Sequence, residues 1–305
     1  MKKTIIWLVI IVIVLLGGYF VLQNLFGTTN TTPKTSEETN TTVATTTSQT
    51  TTTQEENKPI TVIGTSVEGR DITAYHFGTG DKEILFVAGL HGGYEWNTSL
   101  VAYQLVDYLK QNPSAVPAGE KVTVIPVANP DGLYKVTGKE GVFTSADVIA
   151  SQSTQISGRY NADSIDLNRN FDCDWQPTGK WQNTTVKAGS EPFSEPESAA
   201  IRDYVDAHTP TAAIVWYSAA GGVFASSCHN GVMGETTTLT NLFADASGYK
   251  AYETFDFYQI TGDMVNWLAK NRIPAISVLL TNHTDTEWTK NKAGVTAILN
   301  RYATE

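Results

Sequence analysis

The sequence predicts an α/β domain with a largely parallel sheet covered by helices on both faces, preceded by one transmembrane helix. Three features of the 305-residue chain predict this organisation: an uncharged apolar run near the N-terminus, a threonine-rich stretch after it, and short apolar runs that alternate with helical periodicity thereafter. We expect an anchor over 1–27, a disordered stalk over 28–57 and one folded domain over 58–305, which is long enough for a substantial core.

The apolar run from Ile5 to Phe26 contains 22 residues and no charge. As a helix it would span roughly 33 Å, which matches a hydrocarbon core of about 30 Å. Lys2 and Lys3 precede it, so we expect the N-terminus in the cytoplasm and the C-terminal domain outside the cell membrane. A cleaved signal peptide is the alternative, but its apolar region would be shorter and would end in small residues.

The segment that follows the apolar run holds 15 threonines within residues 28–54. Such a composition cannot bury enough apolar area to offset the entropy of ordering the chain. As a flexible coil of about 30 residues it would reach roughly 30 Å. The sequence therefore predicts an ectodomain tethered to the membrane by a stalk.

The charge of the chain argues against a nucleic-acid partner. The formal net charge is −10, and all 31 acidic residues follow the apolar run. Binding to a phosphate backbone depends on clustered lysine and arginine, and the sequence has no such cluster.

Cys173 and Cys228 are the 2 cysteines of the chain. Outside the membrane, two cysteines pair more often than not, and closing a loop of this size would add about 4 kcal/mol in the chain-entropy model. The alternative is two isolated buried thiols.

The first half of the folded domain shows two buried strands. The apolar run from Glu83 to Leu90 is typical of a buried strand, and 96–109 has apolar residues at helical spacing. A second strand is expected over 121–127, followed by a turn at 129–132 because of its Asn-Pro-Asp-Gly sequence.

The second half continues the alternation. Ser194 is a suitable N-cap for a helix that has Pro196 in its first turn and Glu197 at the capping-box position. Further strands are expected over 211–217 and 274–280, and helices near 236–247, 261–271 and 286–302. Strands that alternate with helices favour a largely parallel sheet whose strand ends carry the functional site.

Two motifs at those strand ends carry chemistry. His91 and Glu95 lie in one loop directly after the first buried strand, and imidazole and carboxylate are ligands that zinc prefers. A simple hydrogen-bonded pair is the alternative. Arg169 offers a fork of donors that matches a carboxylate, and the amide of Asn168 adds another donor. Together these two residues would hold the free carboxylate of a substrate, unless the arginine binds an acidic loop of its own protein.

Six segments in order resemble the zinc metallocarboxypeptidase family, the carboxypeptidase A-like peptidases. They extend over about residues 58–303 and are 67–70 with Ile72, 89–95, 129–132, 166–171, 192–197, and Tyr258 with 261–263. The resemblance implies a single α/β domain with a mixed eight-stranded sheet. It also implies one zinc ion and removal of the last residue from a peptide.

The resemblance also implies a role for each matching residue. His91 and Glu95 would be the first two zinc ligands, although their spacing is one residue longer than the family's H-x-x-E. Asn168 and Arg169 would bind the terminal carboxylate of the substrate. Arg159 would stabilise the oxyanion, and Tyr258 would be the mobile tyrosine that closes over the substrate.

Two expected active-site residues are replaced in this sequence. Tyr217 stands where the family has its third zinc ligand, a histidine, and Leu279 stands where it has a glutamate as general base. A catalytic zinc ion normally has three protein ligands and an activated water. Loss of a positioned base removes a further 10²–10⁴-fold in rate, roughly.

Substitute groups are conceivable. The Tyr217 phenolate, His229 or His283 would supply a third ligand, and Glu287 or Asp285 a base, if loops carried them inward. Three functions follow. The first is a domain that binds peptide C-termini, or peptidoglycan-type stem peptides of the cell wall, without efficient hydrolysis. The others are an active metallocarboxypeptidase with substitute groups and a structural ectodomain with a vestigial pocket.

The preferred terminal residue of the ligand is less defined. Val265 lies near the family's side-chain pocket and indicates neutral or apolar residues, whereas Asp263 would favour a cation.

Overall fold

The computed structural model describes residues 58–303, which form an α/β domain around one mixed sheet of eight strands. Its strands, in the order in which they lie side by side, are β1 (Ile60–Thr65), β2 (Asp71–Gly78), β4 (Glu120–Ile125), β3 (Lys82–Val87), β7 (Ala212–Ser218), β10 (Ala275–Leu280), β8 (Gly222–Ala225) and β9 (Lys250–Tyr252). The central strands β4, β3, β7 and β10 are parallel to one another, while β1, β2 and β8 bring in antiparallel pairings. A separate hairpin consists of β5 (Thr178–Trp181) and β6 (Thr184–Lys187).

Helices cover both faces of the sheet, as the alternation of elements predicts. They are α1 (Trp96–Gln111), α2 (Pro130–Thr137), α3 (Gln152–Ser157), α4 (Pro196–His208), α5 (Gly234–Ser247), α6 (Met264–Lys270) and α7 (Trp288–Ala303). Successive side chains of β3 point to opposite faces, so Leu85 packs with residues of α4 and α6, while Phe86 packs with residues of α1, α5 and α7. Strands buried on both faces explain why the sequence shows continuous apolar runs rather than alternation.

Two local predictions are wrong. Residues 129–132 form the start of α2 rather than a turn, because the Asn129 side chain accepts a hydrogen bond from the backbone N–H of Gly132 and Pro130 occupies the first helical position. Ser194 is not the N-cap of α4. Glu195 takes that position, and the Ser194 hydroxyl instead donates to the Glu195 carboxylate.

The predicted anchor and stalk lie outside the described residues. Within residues 58–303, no helix combines the length and the apolar character needed to span a bilayer.

The predicted pairing of the two cysteines is confirmed. Cys173 and Cys228 form a disulfide that joins the segment after residue 171 to the segment after β8. It closes a sequence separation of 55 residues next to the candidate site.

One buried carboxylate predicts that stability depends on pH. Glu120 is 1% exposed, and within the described part of the chain neither of its carboxylate oxygens has a hydrogen-bond partner. Burial raises the pKa of Glu120 from 4.5 to about 7, although Lys82 opposes the shift. The unfolded chain therefore releases this proton at a lower pH than the folded protein, so stability should fall as pH rises from 4.5 to about 7 and stay constant above.

The substitution Glu120→Gln tests this dependence. We expect the variant to be more stable than the wild type by roughly 1–2 kcal/mol at pH 8 and nearly equal at pH 4, as measured by urea unfolding. Glu253→Gln, at an exposed position, is the matched control and should change neither value. An equal gain at both pH values would show that the Glu120 charge is not responsible.

Candidate active site

The loop after β3 presents His91 and Glu95 at the edge of the sheet. Residues Gly92–Glu95 form a short 3₁₀ helix, with His91 at its N-terminal boundary. Gly92 has a φ of +43°, and a Cβ atom there would lie 2.6 Å from the carbonyl oxygen of Gly158. The glycines therefore let this loop pack directly against the backbone that leads to Arg159.

His91 lies between two carboxylates. Its Nδ1 is 2.9 Å from Glu95 Oε1, and its Nε2 is 3.3 Å from Asp166 Oδ1. Both distances are within ion-pair range, but neither pair has hydrogen-bond geometry, and the two ring nitrogens are buried. Two ligands of one zinc ion, each about 2 Å from it, would have donor atoms at a similar separation of about 3 Å.

Arg159 connects these groups. Its Nε and Nη2 donate to Asp166 Oδ2 at 2.9 and 2.8 Å, and its Nη1 is 3.9 Å from Glu95 Oε1. The guanidinium lies 4.6 Å from the ring centroid of Trp181, which comes from the β5–β6 hairpin. Burial alone would raise the pKa of Asp166, but Arg159, His91 and Arg169 hold that pKa well below its usual range. Asp166 is therefore a buried anion that holds the Arg159 guanidinium in place.

The two replaced residues are direct neighbours in the sheet. Tyr217 on β7 and Leu279 on β10 are paired in the parallel register, and both are largely buried. The Tyr217 hydroxyl donates to Asn168 Oδ1 at 3.1 Å, and its ring centroid is 5.6 Å from that of His91. Burial and the nearby carboxylates of Asp263 and Glu95 raise the pKa of Tyr217 well above its usual value. The side chain is therefore a neutral phenol, which opposes its use as a phenolate ligand.

The donor set does not match a three-ligand zinc centre. His91 and Glu95 are placed as two ligands would be, but the third position holds a phenol that already donates to Asn168. Across residues 58–303, no group of three or more histidine, cysteine, aspartate or glutamate side chains is arranged to hold a metal ion.

The two residues expected to bind a carboxylate are engaged within the protein. Asn168 Nδ2 donates to Asp263 Oδ2 at 3.1 Å, and its Oδ1 also accepts from the backbone N–H of Met264. Arg169 donates to the carbonyl oxygen of Lys180 from Nε and Nη2, and to that of Asn168 from Nη1. Of the five N–H donors of its guanidinium, three are thus used, and two remain for a ligand.

All six predicted site residues line one cavity of about 800 Å³. The half-buried Tyr258 ring lies 6.0 Å from the Arg169 guanidinium, within a segment that has no regular secondary structure. Burial raises the pKa of Tyr258, so it enters the site as a hydrogen-bond donor rather than as an anion. Val265, Asp263 and Leu279 also line this cavity.

Of the four proposed substitutes other than Tyr217, His283 lies in the cavity. Its ring centroid is 4.5 Å from that of Tyr94, and burial lowers its pKa. His229 is exposed and pairs with Asp174, and Glu287 pairs with Lys290 and accepts a hydrogen bond from the backbone of Thr281. Neither of these two, nor Asp285, lines the cavity.

Other matching segments hold the domain together. Asp131 accepts hydrogen bonds from Ser66 and Arg70, which ties the 67–70 segment to the start of α2. The Asn170 side chain bonds to Ser194, to the backbone N–H of Glu195 and to Ser198, which ties the 166–171 segment to α4.

Comparison with known proteins decides the family. The family model described as zinc carboxypeptidase matches residues 46–287. The chain belongs to the zinc carboxypeptidase family. Carboxypeptidase B from Astacus astacus is 29% identical over 150 residues, which are 47% of this chain and 48% of that protein. The protein named inactive metallocarboxypeptidase ECM14 from Uncinocarpus reesii is 26% identical over 160 residues, which are 47% of this chain and 26% of that protein.

A solved structure shares the fold of this domain. The murein-tripeptide amidase MpaA from Escherichia coli O157 superposes with a TM-score of 0.54 at 17% identity, covering 80% of this chain and 92% of that one. At this identity the likeness supports the fold. The chain spans less than half the length of the two curated relatives.

Several residues of this zinc carboxypeptidase-family site were not singled out from the sequence. Asp166 stands within the matching 166–171 segment, so its burial beside His91 had a sequence signal. No sequence signal indicated Trp181 or the carbonyl of Lys180, because the β5–β6 hairpin is short and polar. Gly179 is needed there, since a Cβ atom would lie 2.7 Å from the Arg169 Cδ atom.

Proposed function

We propose that this domain binds the free C-terminal end of peptides and has lost the standard zinc-water hydrolysis of its family. The observation that carries the proposal is the combination of an intact arginine pair, Arg159 and Arg169, with Tyr217 and Leu279 at the positions of the third ligand and the base. A bound terminal carboxylate would take the two remaining N–H donors of Arg169, and Tyr258 would cover it.

Zinc, where it binds, would be held by His91 and Glu95 and would bind weakly. Losses of second-shell partners alone cost roughly 10–100-fold in affinity or activity, and a missing ligand should cost at least as much. A peptide hydrolase that uses substitute groups is the second candidate, and the observation that favours it is the position of His283 in the cavity.

The proposed setting is the outer face of the cell membrane. The uncharged run over 5–26 and the polar stretch after it support a tethered domain with its N-terminus in the cytoplasm. Stem peptides of the cell wall are suitable ligands there, because they have free carboxylate ends. The fold shared with a murein-tripeptide amidase is compatible with that class.

A pair of matched peptides tests the proposal. We expect the full-length protein to bind benzoyl-glycyl-phenylalanine at least roughly tenfold more tightly than its C-terminal amide, because a charge-assisted hydrogen bond contributes about 1.5–3 kcal/mol. Calorimetric titration measures both affinities. Equal affinity for acid and amide, or no saturable binding of either, would contradict the proposal and favour a structural ectodomain.

A further inference from the structure

A chain of hydrogen bonds behind the cavity begins at a buried asparagine. Asn97, in α1, is fully buried, and its Nδ2 lies 2.8 Å from the carbonyl oxygen of Asn282 and 3.0 Å from that of Asp285. Carbonyl oxygens only accept, so both protons of the amide are used here. This fixes the orientation of the side chain and leaves Oδ1 as an acceptor on its other side.

Ser218 links the fixed Asn97 side chain to the ring of His283. Its Oγ lies 3.0 Å from Asn97 Oδ1 and 3.2 Å from His283 Nδ1. Because Asn97 Oδ1 has no proton to give, the single hydroxyl proton of Ser218 must be donated to it. The Ser218 oxygen then only accepts from His283, so Nδ1 of His283 carries the proton and Nε2 of the neutral ring carries the lone pair.

His283 lies in the cavity, so its tautomer matters for ligand binding. The residue follows Leu279 in the loop after β10, packs against the Tyr94 ring, and lines the same cavity as His91, Glu95 and Arg169. No hydrogen-bond partner for its Nε2 is found among residues 58–303, and this nitrogen is not enclosed by protein. Nε2 of His283 is thus a preset acceptor in the cavity that Arg159 and Arg169 also line.

We propose that Nε2 of His283 accepts a hydrogen bond from an N–H or O–H donor of the ligand. This inference rests on the proposed function and specifies its ligand, a peptide end that offers a donor as well as a carboxylate. Ser218 and Asn97 are positioning residues, because they act by holding the proton on Nδ1.

The tautomer is directly measurable. The chain has 5 histidines, so ¹⁵N-histidine labelling of the full-length protein and long-range ¹H–¹⁵N spectra give few signals, and His283→Phe assigns those of His283. We expect a protonated Nδ1 and an unprotonated Nε2, and we expect the Nε2 signal to move when benzoyl-glycyl-phenylalanine saturates the site. His229 is the internal control, since it lies outside the cavity. A protonated Nε2, or an Nε2 signal that stays fixed at saturation, would overturn the inference.

Affinity separates this inference from the proposed function. His283→Phe keeps an aromatic ring against Tyr94 but removes the acceptor, so we expect roughly fivefold weaker peptide binding. Ser218→Ala should show a mixed tautomer and a smaller loss, while His229→Phe should bind as the wild type does. If the wild type binds the peptide and His283→Phe binds it equally well, this inference fails alone. If the wild type itself does not bind, the proposed function fails as well.

Discussion

The double substitution Tyr217→His and Leu279→Glu is expected to turn the domain into a zinc-dependent carboxypeptidase. The two positions are direct partners across β7 and β10, so both new groups would enter the cavity that His91 and Glu95 line. Histidine would complete a three-ligand set and remove the phenol that now donates to Asn168. Glutamate would supply the missing base, which contributes roughly 10²–10⁴-fold in rate.

The measurement is hydrolysis of blocked dipeptides with zinc added, together with zinc affinity by calorimetry. We expect at least roughly tenfold tighter zinc binding in Tyr217→His and measurable turnover in the double variant, with both lost in chelator. Tyr217→Phe with Leu279→Gln is the matched control, because it changes the same two sites without adding a ligand or a base. If the wild type already cleaves as fast as the double variant, a substitute group is active, and His283→Phe identifies it.

The sequence contains enough to predict the centre of the fold but not its margins. The runs that became β3, β4, β7 and β10 are buried on both faces, so their apolar character is continuous and easy to recognise. Strand β1 is partly exposed, and β8, β9 and the two strands of the β5–β6 hairpin have only 3 or 4 residues each, so they leave little pattern. The Asn-Pro-Asp-Gly sequence at the start of α2 suits both a turn and the first turn of a helix, and tertiary packing decides between them.

The site was predictable as a set of residues but not as a network. The resemblance to the carboxypeptidase family could place His91, Arg159 and Asn168 near one another. It could not show that Asp166 joins His91 to Arg159, or that the donors of Asn168 and Arg169 are partly used by Asp263 and by a hairpin carbonyl. The contacts of His91 with Asp166 and of Asn168 with Asp263 join side chains far apart in sequence, and only the folded chain defines them.

Two substitutions among these contacts are expected to change the binding of a ligand's free carboxylate in opposite directions. Arg169→Met keeps most of the side-chain length and removes the charge, so the preference for the acid over the amide peptide should fall from tenfold or more to nearly one. Asp263→Asn removes a buried negative charge next to the side-chain amide of Asn168 and keeps an oxygen for the backbone N–H of Asn266. The preference for the acid peptide should therefore rise.

The ratio of the two affinities is the quantity to compare, because damage to folding weakens both peptides alike. Arg202→Met is the control for Arg169→Met, since Arg202 pairs with Asp203 on α4 and does not line the cavity. If Asp263→Asn left the ratio unchanged while Arg169→Met lowered it to nearly one, the Asp263 charge would be too far from the ligand to affect its binding. If both ratios stayed at the wild-type value, the carboxylate would bind elsewhere, and Arg159 would be the next residue to replace.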